Sequence, residues 1–220
     1  MRQRILDFLR NGEMEIGLYI RANAVGSIFL AAYAAFLLFS FTDRPELQPA
    51  RVAPAAVVLN VLILFCLQNV LVFFLNRTLL VFTLSFALLT ALLAMQLIKI
   101  NYWGRAVIPS DLLFLKEALR VAFTFVPQHM DWDLFLPPAA ILASLCSLFC
   151  LSAWSRLRLG GFFKRLRLAA PSFLFILAVV FWQALHLRKA LAFCGIENAA
   201  WNQVDNLGRN GLVLSWMMNV

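Results

Sequence analysis

The chain has 220 residues, 63% of them hydrophobic, and only 14% are charged, against roughly 25% in an ordinary soluble domain. Mean hydropathy is +0.83, and Phe alone supplies 21 residues. A soluble globule of this size could not find polar cover for so much apolar surface, which excludes a soluble enzyme, a disordered chain and a disulfide scaffold and leaves an all-α integral membrane protein. The net charge of +8 is not a nucleic-acid signal, because the basic residues lie between apolar runs of membrane-spanning length; no nucleic-acid partner is expected.

A helix crossing about 30 Å of hydrocarbon needs about 20 apolar residues. Five stretches meet that length: 22–41, 53–75, 78–98, 134–154 and 169–187. The first contains no charge and continues past Ala31-Ala32-Tyr33-Ala34 without a break, so it reads as a retained signal-anchor rather than a cleaved leader. Asn76 and Arg77 alone separate the second and third spans, which predicts an antiparallel hairpin. Pro137 and Pro138 fall in the first turn of the fourth span and Pro171 near the start of the fifth, where a missing amide donor costs little.

Basic residues set the orientation. With the N-terminus in the cytoplasm, the inside segments are 1–21, 76–77 and 155–168, and they hold ten of the nineteen Lys and Arg residues. The 155–168 loop carries five of them and no acid. An odd number of spans then directs the C-terminus outside. The same basic loop is also compatible with anionic lipid.

Residues 99–133 form the long outside loop. Tyr102 and Trp103 sit where an aromatic belt marks the interface, and Gly104 and Pro109 break the helix. Ser110 and Asp111 are suited to a helix N-terminus, and 111–126 reads as one amphipathic helix with Lys116, Glu117, Arg120 and Thr124 in a narrow polar stripe. Such a helix lies in the outer interface with the stripe toward water. Asn101, Arg105 and Asp111 are candidates for a polar cluster at headgroup level, with Arg105 able to pair with a lipid phosphate.

Polar residues within the spans are few: Asn60, Gln68 and Asn69 in the second, Gln96 at the end of the third, Gln183 and His186 near the end of the fifth. The amides read as interhelical hydrogen-bonding groups. No Asp, Glu, Lys or Arg lies mid-span, which argues against an ion-coupled pump. The four cysteines (Cys66, Cys146, Cys150 and Cys194) are too scattered for a metal or disulfide framework. His129, Asp131 and Asp133 are the closest approach to a ligand set and read as solvated interface residues, so no metal or catalytic group is assigned in this chain. Residues 188–220 read as an extracytoplasmic connector following a 1–187 membrane domain.

Two short segments carry a family resemblance. Asn101-Tyr102-Trp103-Gly104-Arg105 followed by Pro109-Ser110-Asp111-Leu112 resembles the stretch after the third span of lipoteichoic acid synthase-like phosphoglycerol transferases, members of the sulfatase/alkaline-phosphatase superfamily. Asn210-Gly211-Leu212 resembles the Asn-Gly-aromatic stretch that leads toward their catalytic domain, although Leu212 replaces the aromatic and Arg105 stands near where a lysine is common. The resemblance implies a bacterial cytoplasmic membrane, phosphatidylglycerol as lipid partner, and an extracytoplasmic catalytic domain with a Thr or Ser nucleophile and a divalent metal such as manganese. Its residues are not in this chain, which then reads as the anchoring and lipid-presenting part. The alternative is a stand-alone small membrane protein, a transporter or scaffold subunit.

Overall fold

The computed structural model describes residues 16–40, 47–48, 52–108, 111, 159, 161–181, 196 and 202–218. The expected span 134–154, the expected interfacial helix beyond Asp111, and His129, Asp131 and Asp133 lie outside the described residues. Every regular element among the described residues is helical: α1 (Ile16–Ser40), α2 (Pro54–Leu75), α3 (Thr78–Trp103), α4 (Phe162–Val180), α5 (Gln203–Asn210) and α6 (Leu212–Met218). Three are long and apolar enough to cross a membrane: Ile16–Ser40, Pro54–Leu75 and Thr78–Ile100.

The helix ends follow local chemistry. Pro54 opens α2 at a position where its missing N–H would have had no helical acceptor. Asn76 closes α2 in the left-handed region (φ 49°), its N–H donating to the Val72 carbonyl, and extended Arg77 starts α3. The two-residue link therefore makes the expected hairpin. Gly104 ends α3 in the same way, with φ 65° and its N–H on the Ile100 carbonyl.

Two helices begin earlier than hydropathy predicts. α1 starts at Ile16 rather than near 22, and α4 at Phe162 rather than near 169. The last seven residues of the expected 155–168 loop, Lys164, Arg165 and Arg167 among them, are thus helical. Charge limits how much of a helix sits in hydrocarbon; it does not end the helix, since Lys and Arg are good helix formers. Pro171 consequently lies inside α4 and not at its start.

α2 is the central element, packed against α1, α3 and α4. Contacts fix the directions. Phe162 meets Phe73 with the rings tilted, centroids 5.6 Å apart, and Ser172 meets Asn69, so α4 runs antiparallel to α2. Gly26 meets Phe82, and Tyr33 meets Phe86 and Thr90, so α1 and α3 run parallel. α1, α3 and α4 thus all start at the end marked by the Asn76–Arg77 turn.

Polarity is inverted relative to a soluble bundle. Val25, Phe36, Val58, Phe74, Leu88 and Leu174 are exposed, whereas Asn23, Asn60, Gln68, Asn69, Thr90 and Gln96 are buried. An apolar exterior of this extent suits lipid as solvent and leaves amides in water-poor contacts where they must pair. The main core joins Leu30, Leu38, Ile63, Leu93, Ile100 and Leu214, so the C-terminal helices are packed into it. A smaller core at the turn end joins Tyr19, Val72, Val81 and Leu159.

Candidate functional site

Two polar centres lie at opposite ends of the bundle. The first, near the turn end, is built on Asn69. Its Oδ1 accepts from Tyr19 Oη (2.9 Å) and Asn23 Nδ2 (2.8 Å), and its Nδ2 donates to Ser172 Oγ (3.0 Å). Ser172 Oγ also donates to the Leu168 carbonyl, and Ser27 Oγ to that of Asn23. One buried amide thus joins α1, α2 and α4. Gln68 is buried beside it with Nε2 unpartnered, as is Asn23 Oδ1.

Charges at this end are of one sign among the described residues: Arg21, Arg77, Lys164, Arg165 and Arg167. Arg165 donates to the Phe73 carbonyl (2.8 Å), which ties the first turn of α4 to the last turn of α2. Between α1 and the start of α3 a groove of about 750 Å³ opens, with Arg21 and Thr78 on its walls and Gln68 and Val72 at its base.

The second centre, at the far end, is built on Asn60. Its Nδ2 donates to the Ala56 and Asn210 carbonyls, each at 2.6 Å, and its Oδ1 accepts from the Leu214 N–H at 2.9 Å. Ala53 N–H donates to the Arg209 carbonyl (3.0 Å). The α5–α6 junction is therefore seated on the first two turns of α2. Gly211 makes this approach possible: its φ is 73°, and a Cβ there would lie 2.8 Å from Asn60 Nδ2. Residues 203–218, within the expected connector, are helices packed on the bundle.

The residues expected at the outer headgroup level surround the end of α3. Asn101 is in its last turn, and Arg105 is exposed just past Gly104. Asp111 Oδ2 accepts from Lys99 Nζ and from the Ile108 N–H (2.7 Å). Gln96 Oε1 accepts from the Val107 N–H (2.9 Å). Lys99 and Gln96 thus fold the chain after Gly104 back onto α3, and Arg105 is left pointing outward. Asp205 and Arg209 form a further ion pair at 2.9 Å.

Sequence reading missed Tyr19, Asn23, Ser27 and Ser172. The signal for three of them was present: Tyr19, Asn23 and Ser27 recur every four residues and so share one helix face. Starting the span at 22 put Tyr19 outside it. Lys99 was overlooked because its partner comes twelve residues later, across a helix end.

The described residues define an all-helical protein with three helices of membrane-crossing length and composition. Compared with protein-family models, curated proteins and solved structures, the chain gives no match.

Proposed function

We propose that this chain is the membrane domain of a phosphoglycerol-type transferase of the cell envelope, anchoring a catalytic domain and offering it lipid substrate, with phosphatidylglycerol as the lipid. The observation that carries the reading is the Asn60 clamp. The Asn210-Gly211-Leu212 run that resembles the family's approach to its catalytic domain is also the run held on α2. A domain following it would be kept close to the far face of the bundle. Arg105, exposed on that face beside the Lys99–Asp111 pair, is the group suited to a lipid phosphate.

A five-span bundle, N-terminus inside, in a bacterial cytoplasmic membrane belongs to the same proposal. α3 and α4 run parallel, so the chain between them must return from the far end to the turn end. Ala106 packs at the first end and Leu159 at the second, and the apolar run 134–154 lies between. The cations described at the turn end, Arg21, Arg77, Lys164, Arg165 and Arg167, favour the cytoplasm for that face. The divalent metal, manganese or its like, belongs to the following domain and contributes no chemistry here.

Topology is tested with single cysteines in a background lacking the natural ones. Gln48→Cys should react with an impermeant thiol reagent in intact cells, and Gly161→Cys only after permeabilisation; both positions are exposed. The reverse pattern overturns the orientation. Function is tested with labelled phosphatidylglycerol and manganese. Residues 1–220 should release no diacylglycerol, and a longer natural chain carrying the catalytic domain should. Turnover by 1–220 that His129→Ala or Asp131→Ala abolishes would make the membrane domain itself the enzyme.

A further inference from the structure

The groove between α1 and the start of α3 is not used by the reading above, which concerns the opposite face. Its walls are apolar, with Val25 and Phe29 on the α1 side and Leu79 and Phe82 on the α3 side, and Val25 is 67% exposed, so the groove opens sideways toward the bilayer. Two features are unlike a plain lipid-facing seam. Arg21 stands at its turn-end mouth and, among the described residues, carries no ion pair and has only cations as charged company at that end. Gln68, 4% exposed at the base, has an amide nitrogen with no acceptor, and Asn23, 5% exposed and also lining the groove, has an oxygen with no donor.

A buried amide N–H without an acceptor bears the full desolvation cost of that group. In hydrocarbon no water relieves it, so an acceptor delivered along the groove would gain most of that cost back. The spacing fits an amphiphile. Gln68 Oε1 lies at the level of Gly26, 4.0 Å from where a Cβ would stand there. Gly26 is five residues beyond Arg21, about 7.5 Å along the helix axis. That separation is comparable to the distance from the phosphate of a phospholipid to its glycerol ester carbonyls.

We propose that this groove is a binding site for one anionic phospholipid of the turn-end leaflet. Its phosphate is held by the Arg21 guanidinium, an ester carbonyl accepts from Gln68 Nε2, and an acyl chain lies along Val25, Phe29 and Phe82. Charge complementarity selects the anionic lipid. A zwitterionic lipid would bring its ammonium into a face carrying Arg21 and Arg77 and, on α4, Lys164, Arg165 and Arg167. The bound lipid would bridge α1 and α3 where the Asn69 cluster does not reach α3.

The test uses the 220-residue chain in phosphatidylcholine nanodiscs doped with phosphatidylglycerol, with retained lipids counted by native mass spectrometry. The wild type should hold one phosphatidylglycerol in preference to phosphatidylcholine. Arg21→Gln should weaken that retention about tenfold, the loss of one charge-assisted hydrogen bond, while Arg21→Lys preserves most of it. Val25→Trp, at an exposed position where the fold is not at stake, should fill the groove and abolish retention of either lipid. Equal retention of the two lipids by the wild type would overturn the proposal. So would phosphatidylglycerol retention indifferent to Val25→Trp. Retention lost in a Lys164→Gln, Arg167→Gln double variant but unchanged in Arg21→Gln would overturn it as well, and would assign the lipid to the basic surface of α4.

Discussion

The two ends of the bundle spend their buried amides on different tasks. At the turn end, Asn69 bonds to side chains only, those of Tyr19, Asn23 and Ser172, and so joins three helices laterally. At the far end, Asn60, Gln96 and Asp111 bond to main-chain groups at Asn210, Leu214, Val107 and Ile108. A lateral bond between helices adds to packing that already holds them. A bond to the main chain at a helix end or loop supplies a partner to a group that the helix ladder does not satisfy. The first kind sets how the helices sit; the second sets where the chain leaves them. Charge differs in parallel among the described residues, since those at the turn end are cations, and the far end has Lys99–Asp111 and Arg209–Asp205 as pairs with Arg105 exposed.

That contrast can be broken from the turn end first, where the largest effect is expected. Asn69→Leu removes three interhelical partners at once. At about 0.6–1.7 kcal/mol for each bond between membrane helices, the loss should be about 2–3 kcal/mol, read from denaturant unfolding in mixed micelles. A loss under about 0.5 kcal/mol would show that packing alone sets the helix positions.

A somewhat smaller loss, about 2 kcal/mol, is expected for Gly211→Val at the far end, because a branched side chain at φ 73° is strained and meets Asn60. Amide exchange should localise the damage: protection at 211–215 falls while that of α1 and α3 stays. Uniform loss of protection would mean that the two ends are one cooperative unit.

Asn60→Ala leaves the Asn210 carbonyl and the Leu214 N–H without this partner, which should cost about 1–2 kcal/mol, again confined to α5 and α6. Limited proteolysis should cut between 203 and 218 sooner than in the wild type. Unchanged cleavage would mean that the apolar contacts of Leu207, Leu212 and Leu214 suffice to hold the segment.

The smallest effect belongs to Lys99→Met. The pair with Asp111 is partly exposed, so its removal should cost about 0.5 kcal/mol and less in high salt. If instead it matches Asn60→Ala, the ion pair is part of the main-chain anchoring and not an accessory to Gln96.

Much of this architecture was legible from residue order. Asn60, Gln68, Asn69 and Gln96 stand out as amides in apolar runs, and the Asn76–Arg77 link permits little but a hairpin. Their partners were not legible, because pattern arguments reach one or two helical turns and these bonds span much more: Asn69 to Ser172 is 103 residues and Asn60 to Asn210 is 150. Of the candidate headgroup cluster, Arg105 is exposed, and Asp111 is engaged by Lys99, a partner that only the fold of the chain after Gly104 brings near.

Hydropathy by itself determined the helical class and the need for an apolar exterior, because burying or exposing a run of apolar residues is a property of that run alone. It placed apolar spans at 22–41 and 169–187 and left open where the helices begin, at Ile16 and Phe162, because a helix continues through Lys and Arg as long as the backbone can, and the hydrocarbon boundary is a separate matter. Only the tertiary structure decided that α2 is central, that Pro171 lies within α4, and that Asn210 and Gly211 return to Asn60. Those outcomes depend on which faces meet, and that is set by small, specific fits, such as a glycine against an amide or a serine beside a proline, among residues that are all hydrophobic enough to pack elsewhere.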